Sequence, residues 1–262
     1  MPVSGERGLA NARSRWPYPR VIAHRGGGKF APENTLSAIR KGNAMGFRGV
    51  EFDVMLSQDS IPLLIHDETL ERTTNGHGRV ADTTMRSLAE LDAGAWFGAA
   101  FAHEPVPSFE SAASLCIALG LWANVEIKPA GGHESATGRI AAVLAQRLWR
   151  GAPITPLLSS FQPAALAAAR ESAPALPRGL LFDAVPTDWR AQLQYLECVS
   201  LHCNADKISA DTVREVHAAG YAIAVWTVND AAAAQRLFAW GVDAIFTDRL
   251  DLIRPDFAAA PM

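Results

Sequence analysis

The stretch that decides the fold reads Val50-Glu51-Phe52-Asp53-Val54-Met55-Leu56, Ser57-Gln58-Asp59-Ser60, Ile61-Pro62-Leu63-Leu64-Ile65. Its two apolar runs predict two strands. The polar link between the runs is much shorter than the dozen or so residues that a parallel crossover needs. The two strands are therefore expected to form an antiparallel hairpin. With a turn centred between Gln58 and Asp59, position 51 pairs with 66 and position 53 with 64, which places Glu51, Asp53 and His66 at one end of the ribbon.

Short apolar runs alternate with Ala-rich helical stretches along the rest of the chain. The expected strands, hairpin included, are 21–23, 50–56, 61–65, 122–127, 157–161, 179–182, 199–202, 223–227 and 244–247. The expected helices are 34–45, 135–149, 163–172, 187–196, 210–219 and 230–240. This alternation indicates βαβ units and a parallel sheet. Because the hairpin removes one strand from the parallel set, eight remain, and the predicted fold is one (β/α)8 TIM barrel over residues 1–262.

One segment, from about residue 67 to 107, interrupts this alternation. It is polar and rich in turn residues at first, and then aromatic at Trp96, Phe97 and Phe101. A segment of this length exceeds an ordinary βα loop, and long loops on barrels commonly act as lids or binding elements. We therefore expect an insertion over the mouth of the barrel.

Composition excludes several classes of function. The 262 residues are 49% hydrophobic and 19% charged, and the net charge of −3 argues against a nucleic-acid-binding surface. No stretch approaches 18 uninterrupted apolar residues, so stable membrane insertion is not expected. Met1 is not followed by the apolar region of a signal peptide, which favours the cytoplasm. The cysteines Cys116, Cys198 and Cys203 lack metal-type spacing and are predicted to be buried thiols.

Charged and imidazole side chains sit at the ends of the apolar runs. They occur in His24-Arg25-Gly26, Glu51-Phe52-Asp53, His66-Asp67 and Glu126-Ile127-Lys128. Burying an unpaired charge costs several kcal/mol, so these groups are expected to converge at the barrel mouth, where the carboxyl ends of the strands meet. Glu51, Asp53 and Glu126 form an oxygen-rich set that suits Mg²⁺ or Ca²⁺ better than Zn²⁺. The alternative is a solvated edge strand with a salt bridge to Lys128.

The balance of charge favours a phosphodiester as the ligand. Three carboxylates, one divalent cation and the two basic side chains Arg25 and Lys128 leave one positive charge for an anion. The planar guanidinium of Arg25 can donate to two phosphate oxygens at once, while the ammonium of Lys128 acts as a point charge. Two imidazoles at strand ends, His24 and His66, are suited to general acid and general base roles near neutral pH.

Other residues near strand ends have less specific signals. Trp226 is interpreted either as an apolar wall for a glycerol or alcohol group or as barrel core, and His202 as a packing or hydrogen-bonding residue. The run Gly26-Gly27-Gly28 matches no phosphate-loop or dinucleotide spacing and predicts a tight turn, with Asn34 as a brace. The histidines expected at the surface are His77, His103, His133 and His217.

Taken together, the motifs resemble those of glycerophosphodiester phosphodiesterases. The resemblance rests on His24-Arg25-Gly26, Ala31-Pro32-Glu33-Asn34-Thr35, Glu51-Phe52-Asp53-Val54, His66-Asp67, Val125-Glu126-Ile127-Lys128, Val225-Trp226-Thr227-Val228-Asn229 and Gly241-Val242-Asp243-Ala244-Ile245-Phe246-Thr247-Asp248. These motifs occur in the family's order from about residue 20 to 254. The similarity is greatest to the short, cytoplasmic bacterial branch, and the core motifs show no departure from the pattern.

The resemblance implies a (β/α)8 barrel that hydrolyses deacylated phospholipids, such as glycerophosphocholine, to sn-glycerol 3-phosphate and an alcohol. It implies that Glu51, Asp53 and Glu126 bind the divalent cation, and that Arg25 and Lys128 hold the phosphate. His24 and His66 would be the acid and base, acting with the substrate's own hydroxyl through a cyclic phosphate. Two alternatives stay open: a lysophospholipase D-like enzyme acting on lipids, and a non-catalytic barrel that binds phosphorylated ligands. The sequence also leaves open whether the cation is Mg²⁺ or Ca²⁺, which head group is preferred and what the oligomeric state is.

Overall fold

Eight parallel strands close into a barrel within residues 16–257, the part of the chain that the computed structural model describes. In order around the barrel they are β1 (Val21–Ala23), β2 (Gly49–Leu56), β4 (Trp122–Ile127), β5 (Leu157–Ser160), β6 (Arg178–Phe182), β7 (Ser200–Asn204), β8 (Ala222–Trp226) and β9 (Ala244–Thr247). Strand β1 pairs with both β2 and β9, which closes the ring. The predicted TIM barrel is therefore confirmed. The ends of the expected domain, residues 1–15 and 258–262, lie outside the described part.

The ninth strand, β3 (Pro62–Leu64), forms the predicted antiparallel hairpin with β2. The predicted register is wrong by one residue, since Val54 pairs with Leu64 and Met55 with Leu63. The cause is the turn. Ser60 is left-handed with φ 60°, and its N–H donates to the carbonyl of Ser57 over 2.9 Å, which makes a three-residue loop. Positions 51 and 66 are consequently not partners, and His66 reaches the mouth from the chain that follows β3.

Helices cover the outside of the barrel. Within residues 16–257 they are α1 (Leu36–Ala44), α2 (Met85–Ala89), α3 (Phe109–Leu119), α4 (Glu134–Leu148), α5 (Pro163–Ser172), α6 (Trp189–Tyr195), α7 (Ala210–Ala218) and α8 (Ala231–Trp240). The six predicted helices are present with small shifts at their ends, but two helices, α2 in the insertion and α3 after it, were not predicted. For α3 the local signals are clear. Its boundaries are set by Ser108, whose hydroxyl accepts the N–H of Ser111, and by left-handed Gly120. None of the helices in this part of the chain is long and apolar enough to cross a membrane.

The inward-facing residues are apolar at one end of the barrel interior and charged at the other. On β4 the inward residues run from Trp122 through Asn124 to Glu126. Trp122 stacks on Tyr18 with ring centroids 4.6 Å apart and meets the edge of Trp16. These rings fill the end at which the strands begin, so the polar side chains collect where the strands end.

The segment 67–107 has an apolar core of its own beneath it. This core joins the outer side of the hairpin, at Met55 and Leu63, to Leu70, Val80 and Leu88 of the segment. The segment is therefore packed on the β2–β3 hairpin. All three cysteines are free and buried, as predicted, and burial raises the pKa of each thiol to about 12.

Candidate active site

A cavity of about 290 Å³ opens at the carboxyl ends of the strands. It brings together every residue predicted for the site: His24, Arg25, Glu51, Asp53, His66, Glu126, Lys128 and Trp226. The remaining lining residues are Asn124, Phe161, Leu181, Thr227 and Phe246. The charged groups that interrupt the apolar runs therefore meet around one space.

Three carboxylates form the deepest charged group of this cavity. Glu51, Asp53 and Glu126 are buried, and one oxygen from each lies within 4.8 Å of the other two. Oε1 of Glu51 and Oε1 of Glu126 have no hydrogen-bond partner among the described residues. Burial, together with repulsion from Asp53, raises the pKa of both glutamates. The Lys128 ammonium lies 3.6 Å from Glu126 Oε1, too far for a hydrogen bond. A divalent cation fits this set, because it would coordinate the unbonded oxygens and offset the repulsion.

Asp53 differs from its two neighbours because it has compensating partners. Burial raises its pKa, but Lys128, Arg25, His66 and Asn34 outweigh that effect and lower it overall. The Lys128 ammonium lies 3.8 Å from Asp53 Oδ1, and Arg25 Nε lies 3.7 Å from Oδ2. Asn34 donates to Oδ2 over 2.8 Å. Asp53 is thus held as a carboxylate.

The loop that follows β1 brings the backbone close to this cluster. The N–H of Arg25 donates to Glu51 Oε2 over 2.8 Å, with Arg25 itself left-handed at φ 49°. A Cβ on Gly28 would lie 2.4 Å from the carbonyl oxygen of Asp248, so this position requires glycine. The predicted tight turn and the brace at Asn34 are both present.

His24 is oriented by a carboxylate that was not predicted. Its Nδ1 lies 2.7 Å from Oδ1 of Asp248, and Asp248 Oδ2 accepts from the Asn229 side chain over 2.9 Å. Burial raises the pKa of Asp248, but the bonds to His24 and Asn229 outweigh burial, so the pKa lies below its ordinary value. With Nδ1 engaged, the other ring nitrogen of His24 faces the cavity, 3.9 Å from Glu51 Oε2. Asp248 lies within a motif of the family resemblance, and that was the only sequence signal for it.

His66 has a parallel arrangement on the other side. Its Nδ1 lies 2.5 Å from Asp67 Oδ1, and its Nε2 lies 2.7 Å from the Lys128 ammonium. Lys128 can only donate, so Nε2 accepts and Nδ1 carries the proton. Burial, reinforced by the charges of Arg25 and Lys128, lowers the pKa of His66 against the opposing effect of Asp53.

The side of the cavity away from the charges is largely apolar. Trp226 meets the edge of Phe161, with ring centroids 5.4 Å apart, and also packs on the core inside the barrel. Trp226 thus lines the cavity and is also part of the barrel core, while its contact with a glycerol or alcohol group stays a prediction. Two buried polar atoms on the cavity lining, Trp226 Nε1 and Asn124 Oδ1, have no partner among residues 16–257. Asn124, which was not predicted, donates its Nδ2 to Ser159 over 2.9 Å.

A second cavity of about 490 Å³ adjoins the first. The two share His24, Arg25 and Thr227 in their linings. From there the second cavity extends to Lys29, Glu33, Asp248 and the aromatic residues Trp96 and Phe97. His66 is not among the lining residues of the second cavity, which therefore lies on the side of the first cavity where His24 is.

The other histidines lie outside these cavities. His202 is fully buried, bonds to Ser200 Oγ over 2.9 Å and packs against Trp16 and Phe246, so it has both the packing and the hydrogen-bonding role that were predicted. His77, His103 and His133 are exposed as predicted. His217 is not a free surface residue, because it is half-buried against Asp243 at 2.9 Å.

This fold and site define a (β/α)8-barrel phosphodiester hydrolase. The model of the glycerophosphoryl diester phosphodiesterase family matches residues 24–252. The chain belongs to this family and is an enzyme of this type. The resemblance seen in the sequence is thereby confirmed.

Relatives of similar length support the assignment. A glycerophosphodiester phosphodiesterase of Caldanaerobacter subterraneus is 34% identical over 87% of this chain and 93% of its own. A putative glycerophosphodiester phosphodiesterase of Bacillus subtilis is 34% identical over 90% of this chain and 97% of its own. Among solved structures, an Oleispira antarctica phosphodiesterase in complex with the product sn-glycerol-3-phosphate has a TM-score of 0.85 and 35% identity, covering 92% of this chain and 97% of that one.

Proposed function

We propose that this enzyme hydrolyses glycerophosphodiesters, such as glycerophosphocholine, to sn-glycerol 3-phosphate and an alcohol. The observation that carries the proposal is that two histidines, each anchored by a carboxylate at Nδ1, face one cavity with a carboxylate cluster and two basic side chains. The product bound to the Oleispira relative supports the same substrate class.

In this proposal Glu51, Asp53 and Glu126 hold one divalent cation, Mg²⁺ or Ca²⁺. Their burial, proximity and unpartnered oxygens support that role. When bound, the cation neutralises charge on the phosphate and makes the phosphorus more electrophilic. Arg25 and Lys128 hold the remaining phosphate oxygens, because they are the basic side chains that line the cavity.

The two histidines transfer protons at opposite ends of the reacting phosphate. The alcohol lies in the second cavity, which includes His24 but not His66, while the glycerol lies in the first cavity beside Trp226. When the Lys128 ammonium turns from His66 to the phosphate, His66 Nε2 accepts the proton of the glycerol hydroxyl that attacks phosphorus, and His24 protonates the leaving alcohol. A lowered pKa keeps His66 neutral and able to act as a base at pH 7. Water then opens the cyclic phosphate: His24 accepts a proton from the water, and His66 returns its proton to the glycerol oxygen as the bond from that oxygen to phosphorus breaks. An attacking group within the substrate gains the advantage of proximity.

The proposal extends to the rest of the chain. Residues 16–257 are taken as one domain, in which the insertion at about 67–107 contributes Trp96 and Phe97 to the alcohol side of the mouth. A location in the cytoplasm and a role in glycerol and lipid metabolism belong to the same proposal. The partner is a small molecule rather than a nucleic acid, in keeping with the net charge of −3.

A lysophospholipase D-like activity is the second candidate. It is favoured by Trp96, which is 43% exposed beside Phe97 at the rim of the second cavity and offers an apolar contact for an acyl chain. Against it, the same cavity carries Lys29, Glu33 and Asp248, and these suit a polar alcohol better. A non-catalytic barrel has no support, since every group of the predicted site is present.

Release of sn-glycerol 3-phosphate from glycerophosphocholine tests the proposal, with lysophosphatidylcholine as the competing substrate. We expect His24→Ala and His66→Ala each to reduce kcat by about 10²- to 10⁴-fold, and exposed His133→Ala to leave it unchanged. Complete chelation of divalent cations should abolish turnover. Full activity of His24→Ala, or cleavage of the lysolipid alone, would overturn the proposal.

A further inference from the structure

Arg72, in the insertion, joins two carboxylates that each contact a different residue of the active site. Its guanidinium bonds to Asp67 through Nε–Oδ2 at 2.5 Å and Nη2–Oδ1 at 3.1 Å. It bonds to Glu33 through Nη1–Oε2 at 2.8 Å and Nη2–Oε1 at 2.8 Å. Asp67 in turn holds His66, and Glu33 accepts from Arg25 Nη1 over 2.6 Å. One guanidinium therefore connects His66 to Arg25.

This arrangement is specific to arginine. Two carboxylates, from the loop after β1 and from the chain after β3, bind the same planar fork, each through two hydrogen bonds. A lysine ammonium carries one compact charge and cannot contact both carboxylates in this way. The spacing between Asp67 and Glu33 is thus set by the guanidinium itself.

We propose that Arg72 is a positioning residue for phosphodiester hydrolysis, acting on His66 through Asp67 and on Arg25 through Glu33. The inference rests on the roles proposed above for His66 and Arg25. On the first arm, Arg72 holds Asp67 in place so that the proton of His66 stays on Nδ1, which leaves Nε2, now bonded to Lys128, as the nitrogen that can accept a proton. On the second arm, Arg72 neutralises part of the negative charge of Glu33. Arg25 therefore keeps more of its positive charge available to attract the phosphate.

The ionisation of the network agrees with this division of charge. Arg72 lowers the pKa of Asp67 and, against the effect of burial, that of Glu33, so both remain carboxylates throughout the neutral range. Without Arg72, the charge of Glu33 would be directed at Arg25 alone, and Arg25 would attract phosphate more weakly. The loss of Arg72 should therefore weaken binding of the anionic product.

The fold of the segment does not depend on the Arg72 side chain. That side chain is 44% exposed, and exposed ion pairs contribute little to stability. The backbone around it is fixed by buried Leu70, whose N–H donates to Gly78 and whose carbonyl accepts from Thr74 N–H. Removal of the guanidinium should consequently change turnover more than the melting temperature.

Kinetics of Arg72→Gln on glycerophosphocholine, with its melting temperature, provide the first test. We expect kcat to fall about 10- to 100-fold, a loss typical of partners that orient functional groups, with little change in Tm. Arg72→Lys should recover only a small part. Arg79→Gln is the matched control, because Arg79 is 50% exposed in the same segment and pairs with Glu68 at 3.5 Å, away from the site. It should behave as wild type.

A second pair of variants separates the two arms. Arg72→Gln should also raise the inhibition constant of sn-glycerol 3-phosphate. Adding Glu33→Gln to it should bring that constant back toward the wild-type value, because Arg25 is no longer neutralised, while kcat stays low. A merely structural role predicts no such recovery.

The inference is overturned if Arg72→Gln has wild-type kcat, or if Glu33→Gln restores no binding. Wild-type kinetics of Arg72→Gln beside an inactive His24→Ala would reject only this inference, whereas an active His24→Ala would reject the proposed function.

Discussion

Asn34 is joined to Asp53 by two hydrogen bonds, one from each end of its amide. Its Nδ2 donates to Asp53 Oδ2 over 2.8 Å, and its Oδ1 accepts the backbone N–H of Asp53 over 3.0 Å. Asn34 adopts a left-handed conformation with φ 58°, which asparagine tolerates better than most residues. The loop after β1 thus fixes the orientation of one carboxylate in the proposed cation site.

This pairing predicts that loss of the Asn34 side chain weakens cation binding. Asn34→Gly is the informative variant, because glycine keeps the left-handed backbone while removing both hydrogen bonds. We expect Mg²⁺ and Ca²⁺ affinities to fall about 10- to 100-fold, as is usual for groups that orient a ligand, measured by isothermal titration calorimetry. Wild-type affinity in this variant would show that Asp53 is held without Asn34.

Glu51→Gln should abolish cation binding and stabilise the protein that lacks a cation. A raised pKa means that folding disfavours the ionised form of Glu51, so stability is lost as pH rises through the interval above the ordinary glutamate value. A neutral amide removes that loss and can still accept the N–H of Arg25. We expect the free energy of unfolding at pH 8, with chelator, to be higher in Glu51→Gln than in the wild type, and this difference to shrink as the pH falls toward the ordinary glutamate pKa.

Differential scanning calorimetry with and without Ca²⁺ checks both parts of this prediction. The cation should raise the Tm of the wild type but not that of Glu51→Gln. A variant that loses stability in chelator, or that is still stabilised by Ca²⁺, contradicts it.

Asp248→Asn should lower kcat by about 100-fold or more, because an asparagine can favour the wrong tautomer of His24. Asp248 contacts Nδ1 of His24, and we expect the Michaelis constant to change little. Asp243→Asn is a matched control. It alters another His–Asp pair, with His217 at 2.9 Å, that does not line either cavity. Similar losses of kcat in both variants would indicate a general effect of disturbing the fold.

The sequence was sufficient for the architecture because the deciding signals are local. A four-residue link between two apolar runs requires a hairpin, and carboxylates two positions apart on one strand necessarily face the same way. The predicted site residues consequently meet in one cavity. The hairpin register was missed because it depends on the left-handed conformation of Ser60, a conformation that serine rarely adopts.

The contacts of Asp248 and Arg72 could not be predicted from residue spacing because they join distant parts of the chain. Asp248 is separated from His24 by 224 positions. Arg72 contacts Glu33 across 39 positions, and no spacing rule relates the two. Such contacts follow from closure of the barrel and from the packing of the insertion on the hairpin.

Asn124→Ala should weaken discrimination between substrates that differ in one hydroxyl. The buried Oδ1 of Asn124 faces the first cavity without a partner among the described residues, and a buried acceptor of this kind is costly unless a ligand donates to it. We expect wild-type kcat/KM to be higher for a glycerol diester than for the analogue that lacks the terminal hydroxyl, and the ratio to fall about tenfold or more in the variant. Unchanged discrimination together with lost Ca²⁺ affinity would instead assign Asn124 to the cation.

His202 should make the protein less stable as the pH falls below neutrality. Burial lowers its pKa from 6.5 to about 3, so between these values the unfolded chain binds a proton that the folded protein does not. Stability therefore rises with pH through this window and is lost on acidification, by about 1.4 kcal/mol per pH unit. Urea denaturation at pH 7 and pH 4.5 measures the loss, which for this residue is about 2.5 kcal/mol over that interval. His202→Phe removes the titrating group, so its stability should decline less steeply between the two values whatever its starting stability. Equal declines in variant and wild type would show that other groups cause the acid sensitivity.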